Sequence, residues 1–319
     1  MATSASTQIT GANIVTDIIL HHYDTSPFAE LIRKALGLKG LSWHSVIIPT
    51  MMPKPDLVVL TGGYARTPVM QIGADIYCDS AAILDALEAR FPNPTFYPAP
   101  LGPLHRMIAG WAGAAQFAAH VGAAMRNVPA GVLQPGFAED RKKRFVGFDF
   151  DAMPRFAPHL ETQCLAATQW IEATLADGRP FIGGDEAGHG DLALYANSWF
   201  LKVMPFAAEF ASKAFAYPHF AAWYDRMAAF GQGNRIESDA ATAIAAAKAA
   251  EPMPITRGVE AGFTEGQTVL IQTEQSGDEA VAGALLRSGP DGIVIQRETA
   301  EAGKLNIHFP RIGQIVRPA

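Results

Sequence analysis

"HHYDTSPFAELIRKALG", residues 21–37, joins a strand-like run to a helix through a polar turn. Upstream, "DIILHHY" (17–23) is short, apolar-rich and β-prone, the pattern of a buried strand. Downstream, Phe28, Leu31, Ile32, Ala35 and Leu36 recur at helical spacing on one face, and Gly37 is the expected helix end. Ser26 before Pro27 is a helix start: the serine oxygen accepts a backbone N–H, and proline lacks the N–H that would go unpaired. The same position has a second capacity. A helix N-terminus carries partial positive charge and favours an anion, a thiolate included, and a serine hydroxyl can donate to that anion while it caps.

Working outward, "WHSVIIP" (43–49) reads as a second strand and "TMMPKPDLVVLTGG" (50–63) as a loop broken by Pro53 and Pro55. "TPVMQIG" and "DIYC" are short strands split by Gly73-Ala74, a hairpin pattern. "DSAAILDALEARFPN" (79–93) is a helix stopped by Pro92 and Pro94. A strand–helix–strand start followed by a hairpin and a helix implies a small mixed sheet with helices packed on it. "FPNPTFYPAPLGP" (91–103), with five prolines, is a stiff linker and the first domain boundary. Residues 103–250 are Ala-rich and helical, and 255–319 turn into β-prone runs spaced by Gly, Asp and Pro, a small all-β module of four or five strands, barrel-like in outline. Residues 1–16, rich in Ser, Thr and Ala, are expected to be flexible.

The chain has 319 residues, 49% of them hydrophobic, which suits two domains, or two plus a small appendage. A formal net charge of −6 offers no basic footprint for nucleic acid. "EDRKKR" (139–144) is most simply a solvated loop or helix end, the other reading being a binding patch. Two cysteines, Cys78 and Cys164, make no disulfide framework. No signal-peptide pattern opens the chain and no apolar run approaches a membrane span, so a cytoplasmic setting is expected.

Two further segments bear on Ser26. "ARTPVM" (65–70) sets Thr67-Pro68 at the start of a strand, and X-Pro is the common cis site. "YCDSAAIL" (77–84) opens a helix with Asp79-Ser80. Either residue is a good N-cap; the alternative is a ligand site, where the N–H groups and Ser80 hydroxyl suit a carboxylate and Asp79 an ammonium.

Together these segments resemble the glutathione transferase family. "YDTSPFAELIR" is similar to its catalytic turn, with Ser26 where members carry Ser or Cys; "RTPVM" to its cis-proline turn; "DIYCDSAAIL" to the acidic-Ser pair that grips the γ-glutamyl end. "FIGGDEAGHGDLALYANSWFL" (181–201) resembles the capping segment of the helical domain, with Gly188 replacing the usual Ser/Thr and Asp191 kept. "PTMMPKPDLVVLTGGYARTPV" resembles a bacterial and fungal subgroup with an extra C-terminal β module. The resemblance implies an α/β thioredoxin-like domain at 17–98, an all-α domain at 103–250 and a small β module at 255–319. It implies conjugation of glutathione to a small apolar electrophile, as in detoxification, with Ser26 stabilising the thiolate and Tyr23 the second candidate for that role. Thr67, Pro68, Asp79 and Ser80 would hold glutathione, Trp111 and Phe117 would line the electrophile pocket, no metal is expected, and the chain would form a homodimer. Serine at 26 cannot form a mixed disulfide, which favours conjugation over thiol reduction. The rival from another class is a non-catalytic binding or scaffold protein.

Other constellations carry less. His21 and His22 are adjacent in a strand and face opposite sides, poor joint metal ligands. Cys78 closes an apolar strand and reads as a buried thiol. "GGDEAGHGD" lacks the Lys-Ser/Thr of a phosphate loop. Arg66 and Lys54 are either further holders of an acidic tripeptide or solvated surface.

Overall fold

The computed structural model describes residues 17–145 and 149–319; the expectation for residues 1–16 lies outside them. The chain opens as β1 (Ile19–His22), α1 (Pro27–Leu38) and β2 (Ser42–Ile47), then α2 (Pro55–Thr61), β3 (Val69–Ile72), β4 (Asp75–Cys78) and α3 (Ser80–Arg90). The helical part follows: α4 (Leu104–Trp111), a π-helical segment at Ala112–Gln116, α5 (Phe117–Met125), α6 (Phe137–Arg144), α7 (Met153–Leu175), α8 (His189–Val203), α9 (Ala208–Ala214) and α10 (Pro218–Ala229). After it come β5 (Asn234–Ser238), α11 (Ala240–Ala249) and β6 (Thr268–Thr273), β7 (Val281–Gly289), β8 (Gly292–Thr299), β9 (Gly303–Phe309) and β10 (Gln314–Pro318). This is a thioredoxin-like start, an all-helical domain and a C-terminal β-rich region. Among the described residues no helix is long and apolar enough to cross a membrane.

The β-rich region extends the N-terminal sheet. One ten-stranded sheet runs β10-β6-β7-β8-β9-β4-β3-β1-β2-β5, its order open at both ends, with β9 parallel to β4 at the junction. The sheet wraps α2. Leu57 and Leu60 of α2 share one core with Val69 and Ile76 of β3 and β4 and with Val269, Val281, Leu285 and Ile293 of β6–β8. A register shift between Leu285 and Arg287 puts a bulge in β7, a device that bends a strand. The opposite face carries a second core, where Leu20, Met70 and Tyr77 meet Leu31 and Ile32 of α1, Leu87 of α3 and Leu192 and Trp223 of the helical domain.

Several local expectations need correction. Residues 50–63 contain a helix, because Pro55 occupies N1, where its missing N–H costs nothing, and Gly62 closes the helix at φ 73°. Gly37 lies inside α1 and does not end it; a Cβ there would stand 2.5 Å from the Gly231 carbonyl oxygen, so the glycine serves a close approach. In "EDRKKR" the solvated reading fails for Arg141 and Arg144, which are buried on one side of α6.

Candidate functional site

Strand register decides where the three polar turns meet. His21 of β1 lies opposite Val69 of β3, and Val69 lies opposite Cys78 of β4. The segments beyond this row, 23–26, 67–68 and 79–80, therefore leave the sheet at one end, on strands about 5 Å apart.

Ser26 is the N-cap of α1 and buried. The Ala29 N–H donates to Ser26 Oγ at 3.2 Å and the Glu30 N–H to the Ser26 carbonyl at 2.9 Å. The hydroxyl proton is left over, since the cap uses the oxygen only as acceptor. The Phe28 N–H makes no hydrogen bond among the described residues. The turn is pinned from behind by Arg33, a buried side chain two helical turns further on, whose Nη2 donates to the Asp24 carbonyl at 2.9 Å and whose Nη1 donates to His22 Nδ1 at 3.1 Å. Burial, with Arg33 adding, pushes the His22 pKa to about 3, so the ring is neutral and its Nε2–H donates to Ser45 Oγ at 3.0 Å. Tyr23 is half-buried with its ring against the core around α2, and its carbonyl accepts the Ser26 N–H at 3.2 Å.

The Thr67–Pro68 peptide is cis. Behind it, buried Lys54 donates from Nζ to Thr67 Oγ1 at 3.0 Å and to the Ala65 carbonyl at 2.9 Å. Asp79 sits at φ 83°, a region that non-glycine residues seldom occupy, and caps α3 by accepting the Ala81 N–H at 2.9 Å. Burial raises the Asp79 pKa, opposed by that N–H and by the charge of Arg66. Ser80 is half-buried beside it.

Family models for the glutathione S-transferase N-terminal domain and C-terminal domain match residues 20–95 and 143–226. A glutathione S-transferase-like protein of known structure from Pseudomonas syringae is 36% identical, with a TM-score of 0.78, covering 95% of this chain and 100% of that one. The chain belongs to the glutathione S-transferase family. A tau-class glutathione S-transferase from mango, Mangifera indica, shares the fold at 19% identity and TM-score 0.52, covering 67% of this chain and 89% of its own. So does a serine-to-cysteine mutant of poplar glutathione transferase F1, at 13% identity and TM-score 0.51, covering 67% of this chain and 92% of its own. No curated protein matches the chain significantly.

In this family member the two aromatic candidates part company. Phe117 packs on Phe28, the second helical residue after Ser26, with ring centroids 4.7 Å apart. Gly113 lies on the same side, where an added Cβ would sit 3.7 Å from Phe28 Cε1. Trp111 stacks on Trp170 of α7 with ring centroids 5.6 Å apart.

An ionic cluster around Arg66 is the part of the site that sequence reading missed. Arg66 Nε meets Asp278 Oδ2 at 3.2 Å, and Arg144 Nε meets Asp278 Oδ1 at 2.6 Å. Arg141 donates to the Thr50 carbonyl at 2.8 Å and pairs with Asp140. Three guanidiniums, those of Arg66, Arg141 and Arg144, lie over the Phe145 ring within 6.0 Å. The only linear trace was the charge run itself, since Asp278, which ties Arg66 to Arg144, lies 212 and 134 residues from them. Among the described residues no three His, Cys, Asp or Glu side chains gather as a metal set.

Proposed function

We propose that this protein conjugates glutathione to a small apolar electrophile. Glutathione lies along Thr67 and Pro68, with its γ-glutamyl end at Asp79 and Ser80 and its thiolate at the start of α1. Ser26 donates its hydroxyl proton to the thiolate, and the α1 N-terminus adds its field, so that more of the sulfur is ionised at neutral pH. Tyr23 is the second candidate for that donor. The electrophile takes the space bordered by Phe28 and Phe117. Lys54, bonded to Thr67 and to the Ala65 carbonyl, braces the turn on which glutathione lies.

The observation that carries this reading is the convergence of the three turns at one sheet end, with a capping serine whose proton is uncommitted. Thiol reduction is the weaker reading, because Cys78 is buried and burial raises its pKa well above the usual value. We also propose a homodimer and a reducing, cytoplasmic setting. Exposed Leu104, Met107 and Trp170 on α4 and α7 support the first, and the buried free thiols of Cys78 and Cys164 the second.

The test is calorimetric titration with glutathione and with S-methylglutathione, on wild type and Ser26→Ala. A charge-assisted hydrogen bond worth about 2 kcal/mol corresponds to roughly 30-fold in affinity or rate. The expected result is that loss for glutathione and for conjugation, with S-methylglutathione unchanged. Absence of binding at millimolar ligand would leave Ser26 a helix cap and favour the scaffold reading; binding without conjugation would favour a non-catalytic glutathione receptor.

A further inference from the structure

The C-terminal region reaches the site through one turn, and its carboxylate is held unusually firmly. Between β6 and β7, the Gly277 N–H donates to the Arg144 carbonyl at 3.0 Å. Gly277 is pressed so close that a Cβ would lie 2.1 Å from the Lys143 carbonyl oxygen. The Asp278 N–H donates to Ser276 Oγ at 3.0 Å, and that hydroxyl donates to Asp278 Oδ2 at 2.7 Å. The Asp278 side chain is 7% exposed.

Arg66 directly precedes the Thr67–Pro68 turn, which leaves the sheet beside Asp79, yet it pairs with a different carboxylate, Asp278. Its charge acts on Asp79, yet its guanidinium is committed to Asp278 and to the face of Phe145. The Asp79 carboxylate makes no ion pair among the described residues and accepts only the Ala81 N–H. An arginine free to swing would be the natural partner for a half-buried carboxylate, and would compete there with a ligand ammonium.

We propose that Asp278 is a positioning residue that holds Arg66 off Asp79, keeping Asp79 open for the ammonium of the γ-glutamyl group. This assigns the C-terminal region a task in ligand recognition, and it rests on the glutathione reading above. The sheet's wrap around α2 is what brings the 274–280 turn to Arg66, although β6 and β7 are far from β3 in strand order.

The experiment titrates the full-length protein with S-methylglutathione and with its analogue lacking the γ-glutamyl amino group. Asp278→Asn should weaken S-methylglutathione about 10-fold and leave the amino-free analogue within about 3-fold. Adding Arg66→Gln to Asp278→Asn should restore S-methylglutathione, because the competing cation is gone; a purely structural role for Asp278 predicts no such rescue. Ser276→Ala, which removes the hydroxyl that donates to the Asp278 carboxylate and accepts the Asp278 N–H, should show the same ligand selectivity at about 3-fold, and it carries the test should Asp278→Asn fail to fold. Equal loss for both ligands, absence of rescue, or wild-type affinity in a folded Asp278→Asn or, in its place, Ser276→Ala overturns the proposal. Failure of the wild type to bind S-methylglutathione at all would instead overturn the proposed function.

Discussion

Ser26 has two duties that a substitution can pull apart. Aspartate is as good an N-cap as serine but brings a negative charge to the place proposed for the thiolate. Ser26→Asp should therefore keep the thermal stability of wild type within about 1 kcal/mol, while Ser26→Ala loses about 1 kcal/mol of capping. Both should lose conjugation, Ser26→Asp more, which thermal unfolding and an activity assay on the same samples would check. Lys54 gives a second prediction at this scale. Burial, with Arg144 and Arg141 adding, drives its pKa from 10.5 to about 7. Between about pH 7 and pH 10 the unfolded chain holds a proton that the folded one has released, so stability attributable to this group rises with pH across that window. Urea unfolding at pH 7 and pH 9 should show wild type gaining on Lys54→Met by on the order of 2 kcal/mol; a difference independent of pH would mean that Lys54 stays charged in the fold. Ser26 was legible in the sequence because capping and anion binding are local properties of a helix start. The depressed Lys54 was not, because its pKa is set by burial and by the charges of Arg144 and Arg141, some ninety residues further along the chain.

At the scale of elements, α8 explains an oddity of the sequence. Gly188 stands at its N-cap without a side-chain acceptor, and Asp191 accepts the Gly188 N–H at 3.1 Å, half of a capping box. The other half comes from α4. A Cβ on Gly188 would lie 2.4 Å from His105 Cε1, so the imidazole fills the space of the missing cap side chain. Burial lowers the His105 pKa and holds the ring neutral, and its Nδ1 accepts the Gly190 N–H, the N2 donor, at 3.3 Å. Gly188→Ser should thus destabilise the wild type by about 2 kcal/mol through overpacking, yet cost far less in a His105→Ala background. A double-mutant cycle by chemical denaturation measures that coupling; additive effects would mean that His105 does not act as the cap. The departure at Gly188 was visible in the sequence, but its compensation lies 83 positions earlier in the chain and has no local signature. The α2 helix escaped for a different reason. In a linear reading Pro55 is a breaker, whereas at N1 a proline is at home because its missing N–H would have no partner there.

For the molecule as a whole, the C-terminal strands are structural partners of the N-terminal sheet. Tyr64, just past α2, meets Phe309 of β9 with ring centroids 5.9 Å apart, inside a core that β6–β9 complete. A chain ended after Ala250 would uncover the β4 edge and the apolar side of α2 together, so it should aggregate on expression, as size-exclusion chromatography would show. A soluble, cooperatively unfolding truncation would mean that the two parts fold independently. The proposed dimer is tested at the same scale: Trp170→Arg places a charge in the exposed apolar strip and should shift sedimentation toward the monomer without lowering thermal stability by more than about 1 kcal/mol. The sequence by itself determined the order of strands and helices at the start, the helix cap at Ser26, the polar pairs at 67–68 and 79–80 and the change of character near 255, because periodicity and turn chemistry act over a few residues. Only the tertiary structure decided that three turns share one sheet end, that β9 docks on β4, that Arg144 and Arg141 are buried in an ionic cluster and that Asp278 takes Arg66. Those depend on strand register and on burial shared between segments distant along the chain, and neither leaves a pattern that a linear reading can register.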